Sequence, residues 1–324
     1  MKHSILVLVI AACVSGARAE APLVFTRAIE LPHVEGRIDH LTVDAAAQRL
    51  FVAALANNTV EVIDLRAGRD ERSLPGFHEP QGIAQPLDGR LVAVANGGTG
   101  DLVMFDRTGF RVEHTVPLGD DADNVRFDRK ARRFYVGYGA GAIGAVSEDG
   151  HRLGEVKLPA HPESFQLEGS GPRIFVNVPG AGQIAVVDRD AMKLQASWRV
   201  TSASANYPMA LDEASHRLFV GCRRPAVVLT FDTATGKQLS SADTVGDTDD
   251  MFYDAKRKRL YVIGGDGFVD VFQQDGTDHL TRAARVPTAA GARTGLFVPE
   301  QDRLYLAVPH RGGQRAEIRV YEAR

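Results

Sequence analysis

The chain has 324 residues, a formal net charge of −3, 44% apolar residues and 24% charged residues. That balance is ordinary for a globular protein and excludes a collagen-like or disordered chain. A mildly acidic chain with no basic tract and a lone Trp198 is a poor general binder of polyanions, so no nucleic-acid partner is expected.

The first residues read as an export signal. Lys2 and His3 form a basic start, Ser4 to Cys13 is an apolar run too short to span a bilayer, and Ala17-Arg18-Ala19 supplies an A-x-A cleavage site. Residues 1–19 are therefore expected to be a signal peptide cleaved after Ala19, with residues 20–324 forming one domain in the periplasm or outside the cell. Ile10-Ala11-Ala12-Cys13 offers the alternative of a lipobox with a lipid on Cys13. Cleavage would remove two cations, Lys2 and Arg18, and no acid, taking the charge from −3 to −5. No later stretch is apolar enough to cross a membrane. Of the two cysteines only Cys222 would survive cleavage, which rules out an intrachain disulfide and suits a small buried residue.

From there the chain repeats. An arginine followed by an apolar run recurs at Arg49, Arg90, Arg133, Arg173, Arg217, Arg259 and Arg303, with steps of 41, 43, 40, 44, 42 and 44 residues. An apolar residue and an acid often precede it by about five positions, as in Val43-Asp44, Phe127-Asp128 and Tyr253-Asp254. A second β-rich run follows, such as Val60-Glu61-Val62-Ile63-Asp64 or Ile184-Ala185-Val186-Val187-Asp188, then a turn and a short closing strand. Short, β-branched or aromatic runs bounded by Gly, Asp, Asn and Pro are strands, and four of them in about 42 residues make a propeller blade. The sequence predicts an all-β, seven-bladed β-propeller with four-stranded blades. Leu23 to Pro32 matches a fourth strand, and the last repeat stops at its third, Ile318 to Tyr321. The N-terminal strand is thus expected to close the C-terminal blade.

The repeat of Arg-Leu-Phe-Val followed by Val-x-Val-Ile-Asp resembles the bacterial YVTN-type, YncE-like family of exported propellers, over essentially all of the chain after residue 19. The resemblance implies the fold. Propellers of this kind include binding proteins, lactonases and lyases, so it does not choose an activity.

Candidate chemistry sits in the segments between blades. Counting nine back from each repeat arginine gives His40, Gln81, Asn124, Ser164, Pro208, Asp250 and Thr294; ten back gives Asp39, Pro80, Asp123, Glu163, Tyr207, Asp249 and Arg293. These positions open the innermost strands and should ring the channel mouth. The framework repeats, but these positions vary and are mostly polar. Arg37, Asp39, Gln81, Asn124, Glu163, Asn206, Arg223, Arg293 and His310 are the expected ligand-binding residues. Asp123, Glu163, Asp249 and Asp250 are the expected ligands of a divalent cation, the only cofactor suggested. Arg223-Arg224, His310-Arg311 and Arg293 suggest a cationic sector facing an acidic one. Gly139-Ala140-Gly141-Ala142-Ile143-Gly144 has dinucleotide-loop spacing but is followed by a strand, not the helix such a loop needs.

Three functions follow, one of them a protein-docking platform with no small ligand. The first is an exported binding protein capturing a small ligand, metal or protein partner at the mouth. The second is a metal-dependent hydrolase or lyase of the lactonase type, with His40 or His161 as general base.

Overall fold

The computed structural model describes residues 21–86, 89–276 and 278–324. The expected signal peptide, its cleavage after Ala19 and the lipid attachment at Cys13 lie outside these residues. Seven separate four-stranded antiparallel sheets follow one another around a ring. Blades 1 to 6 span residues 41–75, 80–117, 122–157, 165–199, 204–243 and 248–287. Blade 7 takes three strands from residues 295–323 and its fourth from Leu23–Glu30. That strand pairs with Glu317–Ala323 in a register running from Leu23 opposite Ala323 to Glu30 opposite Glu317.

The repeat has a local physical basis. At the end of a blade's third strand an aspartate turns the chain: Asp64 accepts the amides of Arg66 and Ala67, and Asp188 those of Asp190 and Ala191, at 2.8–3.0 Å. The side chain thereby replaces hydrogen bonds the turning backbone loses. The repeat arginine opens, or directly precedes, the second strand and ties the sheet laterally. Arg49 makes a paired contact to Glu71 at 2.8–2.9 Å, Arg90 bonds Glu113, and Arg217 bonds Asp232 and Asp278. These arginines belong to the framework and lie at the ends of the blades away from the candidate site.

The core is distributed between blades. One cluster joins Phe51, Val60 and Val62 of blade 1 to Val92, Val94 and Phe105 of blade 2. Another joins Leu50 and Val52 of blade 1 to Ala307, Ile318 and Ile29 of blade 7. Each blade packs on its neighbours, so every sheet has both faces covered, as a toroidal fold requires. Cys222 is fully buried in the cluster between blades 4 and 5, and burial pushes its thiol up to about 12, which makes it unreactive. No helix among the described residues is long and apolar enough to cross a membrane.

The innermost strands position everything that follows. In blades 2, 3, 5 and 6 their pairing is interrupted near the start, between Pro80 and Ile83, Ala122 and Val125, Asn206 and Met209, and Thr248 and Asp250. The skipped residues are the ninth and tenth before the arginine in blades 3 and 5, the tenth in blade 6, and the ninth and eighth in blade 2. A bulge leaves such residues out of the ladder and re-aims their side chains. Gly82 is held to glycine here, since a Cβ would lie 2.2 Å from the carbonyl oxygen of Asp123 in the next blade.

Ring closure yields a direct prediction. A chain lacking residues 21–31 should leave the Glu317–Ala323 edge open and aggregate or melt without a cooperative transition. Ile29→Ala, at a side chain only 1% exposed, should cost about 2–5 kcal/mol in a urea titration. A truncated monomer that melts like the full chain would show that the ring does not depend on this pairing.

Candidate functional site

The seven innermost strands start around one axis, and their first residues form the mouth. Just before them the backbone adopts positive φ, between 40° and 57°, at Glu79, Asp121, Ala205 and Asp247. The same left-handed φ recurs at Gln48, Arg132, His216 and Lys258 in the turns at the opposite ends of the blades, so it marks tight chain reversals at both ends. In blades 1 and 4 pairs of backbone bonds do the positioning: Asp39 N–H donates to Ala53 and Ala53 N–H to His40, and Glu163 N–H donates to Asn177 and Asn177 N–H to Ser164.

Two connected spaces open at the mouth. The outer one, of about 270 Å3, is lined by Arg37, Gln81, Asp121, Asp123, His161, Glu163, Tyr207, Arg223, Asp249 and Arg293. The smaller inner one adds Asp39, His40, Asn124 and Ser164. His40 and Asp250 stand 3.4 Å apart across 210 residues of sequence. Most of the residues singled out from the sequence are thus brought together.

Two are not. His310 pairs with Glu35 at 2.6 Å in a separate pocket beside Pro32 and Arg315. Asn206 is fully buried; its amide donates to Asn177 Oδ1 at 2.9 Å and to the Gln183 carbonyl at 3.1 Å, so it holds blade 5 to blade 4. The strand of blade 5 begins earlier than expected, at Ser204, and turns Asn206 away from the channel.

Arginines and acids are interleaved along one side of the mouth, and the other side is acidic around a single histidine. On the side of blades 5, 6, 7 and 1 every acid is answered. Asp249 accepts from Arg223 at 2.7 Å and Arg293 at 3.1 Å, Asp247 from Arg293 at 3.1 Å, and Asp39 from Arg37 at 2.6 Å. The Arg223 guanidinium stacks on Tyr207 at 3.9 Å. On the side of blades 3 and 4 no arginine ion pair occurs among the described residues: Asp121 and Asp123 face His161, Glu163 lies beside them, and the Gln81 amide donates to Asp121. Asp123, His161 and Glu163 each present a ligand atom within 4.8 Å of the others. His161 Nδ1 lies 2.7 Å from the Gly139 carbonyl, so Nδ1–H donates there and Nε2 faces Asp123 at 3.7 Å. A backbone carbonyl holding one ring nitrogen is the usual second support of a metal-ligating histidine. Asn124 donates to Asp123 at 3.3 Å, while its own Oδ1 is buried without a partner.

Crowding shows in the proton affinities. Burial, then the nearby Asp123 and Asp249, push Glu163 up to about 8. Burial and Asp39 push Asp249 up to about 6 against the pull of Arg223, Arg293 and Arg37. Burial opposes charge on His40, yet Asp250 and Asp39 hold it at about 10. At His161 burial is likewise outweighed, by Asp123 and the Gly139 carbonyl, to give about 9. Held as an imidazolium at neutral pH, His40 is a proton donor and does not offer the free nitrogen of a general base.

Tyr207 lies at the mouth as its place ten before Arg217 implies, and Asp121 and Asp247, which the count back from the arginines does not reach, also belong to it. Their interblade position was a signal for them. For Arg126, Gln85 and Gln166, deeper in the channel, the signal was the two-residue alternation of the same strands.

No family model and no curated protein matches the chain. Among solved structures, a chain in "Crystal Structure of Mitotic Checkpoint Complex" is 13% identical with a TM-score of 0.78, over 99% of both chains. A chain of Kuenenia stuttgartiensis hydrazine synthase is 17% identical with a TM-score of 0.72, over 85% of this chain and 94% of that one. At such identities the likeness concerns the seven-bladed fold alone.

The raised affinities fix the sign of a pH effect. All four groups bind protons more tightly folded than unfolded, so they stabilise the protein fully below their unfolded values and progressively less as pH rises through the folded ones. In chelator-containing buffer the melting temperature should fall between pH 5 and pH 9, and Glu163→Gln should flatten that fall. A profile that rises over this range would contradict the charge arrangement.

Proposed function

We propose that the protein is a binding protein whose channel mouth holds a divalent cation on Asp123, His161 and Glu163. The observation that carries this reading is the mismatch of charge. Acids near the arginines are neutralised, whereas the acids of blades 3 and 4 converge on a histidine and make no ion pair with an arginine or lysine among the described residues. A metal ion would supply that charge, displace the protons held there, and give the buried Asn124 oxygen a nearby electrophile.

One imidazole with two carboxylates suits zinc or manganese better than calcium, which prefers an all-oxygen shell. Ligands of a tetrahedral zinc lie roughly 3.4 Å apart, so the three side chains would draw in on binding. Asp249 and Asp250, expected as metal ligands, are engaged by Arg223, Arg293, His40 and the Gly295 amide, and in this reading they support the mouth. The open outer space beyond the triad leaves room for a small molecule or a protein side chain to complete the coordination shell.

Membership of the YVTN-type, YncE-like exported propellers, and a periplasmic or secreted location, are part of the same proposal. They are supported by the seven-fold arginine repeat and by the basic, apolar and A-x-A pattern of residues 1–19.

Titration calorimetry of chelator-treated protein with Zn2+, Mn2+ and Ca2+ tests the site. One equivalent of Zn2+ or Mn2+ should bind, more tightly than Ca2+, and His161→Ala and Asp123→Asn should each weaken it by about tenfold or more. Absence of saturable binding, or affinities unchanged in both variants, would remove the cation from the mouth.

A further inference from the structure

Beneath the mouth the channel opens into a second cavity of about 490 Å3. His40 and Ser164 line both spaces. The inner cavity differs in chemistry: Arg126, Arg129, Gln85 and Gln166 share its wall with Phe127 and Phe252.

Arg126 comes from the innermost strand of blade 3, two residues beyond Asn124 on the same side of the strand. Its guanidinium donates to the Val125 carbonyl at 2.9 Å and lies over the Phe165 ring at 5.6 Å. Among the described residues no carboxylate pairs with it. Arg189, the other arginine held deep in the fold, is matched by Asp128 at 3.1 Å and by two backbone carbonyls. Arg129, at the outer edge of the cavity, also has no ion-pair partner among the described residues. Both polar atoms of the Gln85 amide are buried and make no hydrogen bond among the described residues. A guanidinium with no carboxylate and an amide with no hydrogen bond, on one wall, leave donors free to meet an entering anion. Burial moreover lowers the proton affinity of Arg126, with Asp250 and Asp123 only partly restoring it.

We propose that this inner cavity binds the carboxylate of a small acid with an apolar body. Arg126 takes the carboxylate as a two-pronged donor, the Gln85 amide supplies a further bond, and Phe127 and Phe252 face the apolar part. A cavity of this size matches a small organic ligand, and its mixed wall sets Arg126, Gln85 and Gln166 beside Phe127, Phe252 and Leu296, with Asp250 at the side nearest the mouth. The channel is then polarised along its axis, demanding a cation at the mouth and an anion below. This inference does not depend on the cation reading.

The test uses the full protein, calorimetry and thermal shift, with benzoate as probe and neutral benzamide as its uncharged counterpart. Benzoate should bind saturably and raise the melting temperature, and benzamide should not. Arg126→Met keeps length and removes the charge; it should weaken benzoate by about tenfold or more and melt no lower than the parent, since it deletes a half-buried charge that has no carboxylate partner among the described residues. Gln85→Leu should weaken benzoate in the same direction, and gives a second variant should the first fail to fold. His161→Ala should leave benzoate binding unchanged, which separates this cavity from the metal site. No saturable binding up to about 10 mM, equal binding of benzamide, or unchanged affinity in both cavity variants would overturn the proposal.

Discussion

Residues far apart in the chain can cooperate here only because the ring closes. Leu23–Glu30 lies against Glu317–Ala323, and the clusters flanking blade 7 are completed by Ile29 and Leu31 on one side and Leu23 on the other. Without that antiparallel pairing blade 7 would have three strands and an open edge beside the first blade. With it, seven sheets share one axis and the first residues of their innermost strands meet. His40 of blade 1 can then stand beside Asp250 of blade 6, and Arg37 can approach Asp249 at 3.9 Å.

Closure also concentrates charge. Acids contributed by several blades are crowded into a partly dehydrated space, where ionisation is opposed both by burial and by neighbouring acids. The molecule answers this in two ways. Arg37, Arg223 and Arg293 neutralise one side through direct ion pairs, and protons retained on Glu163 and His161 relieve the other. Below, the relation inverts, with Arg126 set among aromatic and amide side chains. The axis of the propeller therefore passes from an acid-rich end to a cation-bearing interior within a few residues of each strand.

Repetition and variation divide the labour. The arginines at the second strands and the aspartates at the turns recur because every blade must solve the same problems of lateral tying and chain reversal. The mouth positions differ from blade to blade, and their bulges and positive-φ residues lift them out of the regular ladder. Residues the sheets do not need for pairing are free to take the chemistry of a site. Asn206 shows the converse: once inside the ladder opposite Cys222, its amide is used to join blades.

The sequence by itself determined the number of blades, the order of strands, the closing role of Leu23–Glu30 and the ring of positions at the mouth. These follow from a period of about 42 residues and from local rules of strand and turn, which act between near neighbours. Counting back from each arginine found Asp39, His40, Asp123, Glu163, Asp249 and Arg293, because equivalent strands place equivalent positions at one height. It did not find that Arg223 and Arg293 converge on one carboxylate, that Glu163 is left without an arginine, or that Arg126 is unpaired within the channel. It also placed His310 and Asn206 at the mouth, when the loop after Val308 carries one to Glu35 and an early strand start turns the other inward. Those outcomes depend on which side chain each blade presents to its neighbours across the axis. Only the tertiary structure decided them, because burial and partnership are properties of the closed ring and not of any one segment.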